Sequence, residues 1–99
     1  MTERQLQSIR KQLDKMDADF WNGKINRMAL AREHFELDPS HETELAAEKA
    51  ILDFEIAEIR YNGYTEILEY PEKVKVITSR VKAEVEEKQK TLRLLEGDK

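Results

Sequence analysis

The chain contains no cysteine. A disulfide scaffold and a thiolate metal site are therefore excluded, and the composition suits a reducing cytoplasm. Only three glycines and two prolines occur in 99 residues, so there is no glycine-rich phosphate loop. No serine sits in a nucleophile elbow. No apolar run approaches the roughly 20 residues needed to span a bilayer. The opening residues, Met1 to Lys15, are too polar for a signal peptide. These absences predict a soluble intracellular protein that needs no membrane.

What is abundant is charge on helix-forming residues. Charged residues make up 38% of the chain and apolar ones 39%, a balance suited to long thin helices or a dimer rather than to a thick monomeric core. Glu, Lys, Ala, Leu, Arg and Gln dominate, and all favour helix. Residues 1–99 read as a single helical domain. The net charge of −4 is unevenly spread. Residues 38–70 carry nine acids against Lys49 and Arg60, whereas residues 71–99 carry eight bases against six acids. An acidic middle beside a mildly basic last helix fits two elements packed together, or an acidic surface that recruits a basic partner.

Leu6, Ile9, Leu13, Met16 and Phe20 stand at alternating steps of three and four, with polar residues between them. That is the spacing of a narrow helical seam that meets another helix side on. Thr2 with Gln5 forms a capping-box pair at its start. The apolar phase survives Asn22-Gly23, since Trp21, Ile25, Met28, Arg32 and Phe35 share a face. The pattern predicts one long helix to about Leu37, either straight or bent near Gly23. Asp38-Pro39-Ser40 then breaks it.

A second helix runs from there to about Tyr61 with two apolar faces. Leu45, Leu52, Ile56 and Ile59 form one, and Ala47, Ala50, Phe54, Ala57 and Tyr61 form the other. Such a helix is sandwiched between partners and takes the central place. Asn62-Gly63 ends or bends it, and Tyr64 to Tyr70 reads as a short helical turn or a connector. Pro71 opens a third helix whose stripe is Val74, Ile77, Val81, Val85, Leu92 and Leu95, closed by Gly97. The fold class is all-α. The predicted architecture is a three-helix antiparallel bundle with a long first helix. Its unsatisfied stripes call for a homodimer along Leu6, Ile9, Leu13, Met16 and Phe20.

Few residues point to chemistry. His34 and His41 lie near acids, but Pro39 separates them, and no metal or cofactor site is assigned. Lys73, Lys75, Arg80 and Lys82 form a basic patch without interleaved aromatics, so nucleic-acid binding is not favoured. The segment Ile9 to Arg27 (IRKQLDKMDADFWNGKINR) resembles the opening helix of the all-helical chorismate mutases. Arg10 and Arg27 stand at that family's two arginines, and Asp14 and Asp17 at the acids between them. The resemblance implies a three-helix intertwined dimer whose guanidinium groups clamp the two carboxylates of chorismate. Glu48 matches a further glutamate of the family. Asp38, however, stands where the family has lysine, and Ala47 where it has arginine. Ser79 and Gln89 have the wrong separation for its closing serine and glutamine. An enzyme using Arg10, Arg27 and Glu48 is thus the alternative reading.

The leading reading is a protein-binding or regulatory module. Small acidic helical proteins of the kind that phages and plasmids direct at host nucleases occupy a basic, nucleic-acid-binding surface. Here Glu44, Glu48, Asp53, Glu55 and Glu58 would face such a partner. Trp21, Tyr61 and Tyr64 near the two Asn-Gly dipeptides would serve as anchors.

Overall fold

A computed structural model describes residues 1–97, and every described element is helical. Four α-helices occur among the described residues: α1 (Glu3–Lys15), α2 (Ala18–Leu37), α3 (His41–Glu69) and α4 (Val74–Leu95). A 3-10 turn, Pro71–Lys73, leads into α4. The all-α class is as the sequence predicts. The count of three is not, because the long first helix is two helices.

The break falls at Met16-Asp17 and not at Gly23. The Thr2–Gln5 capping box starts α1, with Gln5 N donating to Thr2 Oγ1 at 3.2 Å and Thr2 N to Gln5 Oε1 at 2.9 Å. The helix closes when Met16 N donates to the Leu13 carbonyl at 3.0 Å. Asp17 then becomes a second N-cap, its Oδ1 accepting from Phe20 N at 3.0 Å. An aspartate in extended geometry satisfies an otherwise unpaired donor and starts a new helix there. Gly23 lies uneventfully inside α2.

The second helix also exceeds its predicted end. It begins at Ser40, which caps it in a reciprocal pair with Thr43. The Thr43 side chain is buried and donates to the Asp38 carbonyl at 2.8 Å, which fixes the turn from α2. The helix continues through Asn62-Gly63 to Glu69, so of the two readings of Tyr64 to Tyr70 the helical one holds, as the end of this helix and not as a separate turn. Gly63 is buried, and a Cβ placed on it would stand 2.5 Å from Val81 Cγ2. The glycine is there for close approach of two helices, not for a turn.

The two-faced helix is central, as its pattern predicts. α3 packs extensively on α4 and on α2, and more lightly on α1. Ion pairs mark the antiparallel register, with Lys24 on Asp53 across α2–α3 and with Lys88 on Glu55 and Arg80 on Glu66 across α3–α4. The core is small. Among the described residues, Ala50, Ile56, Ala57 and Ile67 of α3 and Ile77 and Val85 of α4 are the buried apolar side chains, and Ile77 is 1% exposed. Truncating a residue so enclosed costs roughly 2–5 kcal/mol. α1 buries no residue fully.

The assembly is a thin layer, not a closed bundle, with extents of 51 × 32 × 16 Å. Its radius of gyration is 16.2 Å, against about 13 Å for a compact domain of this length. The accessible surface is 7345 Å², whereas a folded monomer of 11.7 kDa exposes about 5,900 Å². Among the described residues, no helix is long and apolar enough to cross a membrane.

Candidate partner-binding surface

The acids chosen from the sequence fall into two groups. Asp53 accepts from Lys24 Nζ at 2.7 Å and from Arg27 at 3.3 Å. Lys24 is held there on both sides, since its ammonium also lies 5.0 Å from the Phe20 ring centroid. Glu55 accepts from Lys88 at 2.6 Å. These two carboxylates tie helices together. Glu44, Glu48 and Glu58 are exposed and make no ion pair among the described residues.

Successive steps of four and three along α3 place Glu44, Glu48, Ile51, Glu55 and Glu58 on one face. Ile51 is the apolar member of this acidic row and is 45% exposed. It borders two grooves. One, of about 690 Å³, runs between α2 and α3 and is lined by Ile25, Met28, Ala47 and Ile51. The other, of about 300 Å³, runs between α3 and α4 and is lined by Glu48, Ile51, Leu52 and Leu95. Neither apolar stripe assigned to this helix includes Ile51. Its position in the glutamate row was the available signal.

The aromatic residues converge. The Trp21 ring meets Phe20, Phe54 and Tyr61 edge-on, with centroids 5.2, 5.6 and 5.5 Å apart. This geometry locks the start of α2 to α3. Tyr61 stays partly open at its edge, and Tyr64 is half-buried beside Arg60 at the groove on the α4 side. The seam residues Leu6, Ile9, Leu13, Met16 and Phe20 are all half-buried.

The two arginines of the chorismate-mutase resemblance have different partners. Arg10 stays on its own helix with Glu3 at 3.5 Å, while Arg27 crosses to Asp53. Asp14 lies within α1, and Asp17 is the cap between the helices. His34 and His41 are exposed at the facing ends of α2 and α3. Among the described residues, no three possible metal-holding side chains are grouped.

Electrostatic shifts occur on the α3–α4 side. The Arg80 guanidinium, hydrogen-bonded to Glu66, holds that carboxyl below the usual carboxylate value. The Glu55 carboxylate raises the Lys88 ammonium, and Glu69 raises the neighbouring Tyr70 phenol. The predicted basic patch is thereby partly engaged, with Arg80 on Glu66 and Lys73 5.0 Å from the Tyr70 ring centroid. No protein-family model, curated protein or solved structure matches the chain.

Proposed function

We propose that this chain is a helical binding module that covers a basic surface of another protein and that it self-associates as a homodimer. The observation that supports this reading is the surface it leaves open. Its accessible area exceeds that of a compact monomer of equal mass by about 1,400 Å². A standard protein–protein interface takes about 800 Å² from each partner. Large apolar side chains are part of that area, with Leu30, Leu37, Val76 and Leu94 all mainly exposed.

The half-covered seam of α1 is the surface a second copy would complete. Glu44, Glu48 and Glu58 supply charge that steers a basic partner, because no ion pair among the described residues consumes them. An inhibitor of a basic, nucleic-acid-binding host protein is the sharpest form of this reading. Cytoplasmic work suits a chain with no cysteine.

The test immobilises the chain and passes over it basic and acidic proteins of matched size, at low and at physiological ionic strength. Basic proteins are expected to bind, more weakly as salt rises. Equal binding of both classes, or none of either, removes the reading. Sedimentation equilibrium at micromolar concentration is expected to give twice the 11.7 kDa chain mass. A constant single mass removes the homodimer and leaves the basic-partner reading intact.

A further inference from the structure

The row along α3 and the two grooves beside it belong to one surface. Ile51 lines both grooves and stands midway between Glu44 and Glu58. On its α2 side lie Ile25, which is 47% exposed, and Met28. On its α4 side lies Leu95. Acids frame this apolar strip. Glu48 lines one groove, Glu33 and Glu36 line the other, and Glu44 and Glu58 extend the row at both ends. Arg32, a base on the α2 rim, is engaged by Glu36 at 3.6 Å. Glu33, Glu44, Glu48 and Glu58 have no ion-pair partner among the described residues.

We infer that the two grooves flanking Ile51 receive a basic amphipathic helix of another protein, its apolar stripe on Ile25, Met28, Ile51 and Leu95 and its cations against Glu33, Glu44, Glu48 and Glu58. This rests on the basic-partner reading above and adds the place and form of the contact. The shape selects a helix, since Ile51 on α3 with an apolar groove on either side offers the spaced contacts that the i, i+3, i+4, i+7 anchors of an amphipathic helix use. The row from Glu44 to Glu58 spans about 21 Å at 1.5 Å per residue, which is about four turns of an occupant. The charge selects its sign. A second copy seated on this face by two-fold symmetry would set the Glu44, Glu48 and Glu58 row against itself, and that repulsion disfavours it. An anionic membrane and nucleic acid are repelled for the same reason.

The probe is a synthetic 18-residue peptide with leucines at alternating steps of three and four and lysines or arginines on both flanks, carrying a fluorescent label. Anisotropy is read on the full chain. The controls are a scramble of the same composition and an isomer with glutamates on the flanks. The basic helical peptide is expected to bind at least about tenfold more tightly than either control. Ile25→Ser with Ile51→Ser is expected to weaken it about tenfold or more. Glu44→Lys with Glu48→Lys and Glu58→Lys is expected to weaken it by at least as much. Circular dichroism melts identify any variant that fails to fold, and Ile51→Ala then replaces the serine pair with a milder truncation.

Several results overturn the proposal. If the scramble binds equally, or the serine pair leaves affinity unchanged while the lysine triple abolishes it, the grooves are not the site but attraction to basic partners survives. If the acidic isomer binds best, both readings fall. If neither peptide binds, the groove proposal falls, and the protein panel decides the broader one. If the serine pair converts a dimer to a monomer, a second copy occupies the grooves and the proposed occupant is wrong.

Discussion

Gly63 lies against Val81 where α3 and α4 come close, and a Cβ on the glycine would stand 2.5 Å from Val81 Cγ2. Val81 is β-branched on a helix, so it has little rotamer freedom with which to move away. Gly63→Ala gains helix propensity worth about 1 kcal/mol, but overpacking of this kind costs typically 1–3 kcal/mol. The expected net effect is a lower melting temperature. Adding Val81→Ala should recover part of the loss over the sum of the two single changes. A rise in stability for Gly63→Ala alone would mean that the two helices separate easily.

The matched experiment is Gly23→Ala. Gly23 lies inside α2 with open space where a Cβ would go. The same substitution there should stabilise by up to about 1 kcal/mol. The two dipeptides are identical in sequence, so opposite signs in thermal melts would isolate the tertiary contact as the cause.

Asp17 separates α1 from α2. Asp17→Ala removes the acceptor for Phe20 N and should cost about 0.5–2 kcal/mol. Asp17→Asn should restore most of it, since an amide oxygen can cap equally. If alanine is neutral by chemical denaturation, α1 and α2 can merge into one helix at no cost, and the cap is incidental.

The α3–α4 seam makes stability depend on pH at both ends. Glu66 is held below its ordinary value of 4.5 by Arg80. A depressed carboxyl contributes stability above its unfolded value and loses it as pH falls through the folded one. Lys88 is raised above 10.5 by Glu55. Its contribution is complete below 10.5 and disappears as pH rises through the folded value. Glu66→Gln should therefore flatten the acid limb of a melting-temperature profile, and Lys88→Met the alkaline limb. Tyr70, raised by Glu69, titrates in the same alkaline range, so Tyr70→Phe is the needed control. Both groups are partly open to water, and the effects should shrink in high salt.

Local signals in the sequence reached the helical class, the Thr2 start, the break at Asp38-Pro39-Ser40, the central place of the two-faced helix, and Ile77 and Val85 on the inner stripe of α4. They failed where a distant residue decides. Asn62-Gly63 looks like a turn until Val81 arrives from α4. Asp17 can either sit within a continuous helix or cap a new one, and α1 lying on α3 accompanies the second outcome. The acidic middle was legible as charge but not as pairing. Nothing near Asp53 in sequence announces Lys24 and Arg27, and nothing near Glu55 announces Lys88.

That difference in pairing makes a prediction about two sets of charge reversals. Asp53→Lys with Glu55→Lys leaves Lys24, Arg27 and Lys88 facing like charge across helix contacts, two of them through partly shielded side chains. The double variant should melt at a clearly lower temperature, with its helical signal lost at lower denaturant. Glu44→Lys with Glu48→Lys and Glu58→Lys breaks no ion pair among the described residues and should change stability by no more than about 0.5 kcal/mol per site. The triple reversal removes more negative charge than the double. If it is nevertheless the milder change, net charge cannot be the cause of the damage and the specific bridges must be. If the triple variant unfolds as readily as the double one, the exposed glutamates are part of the folding electrostatics and are not free to meet a partner.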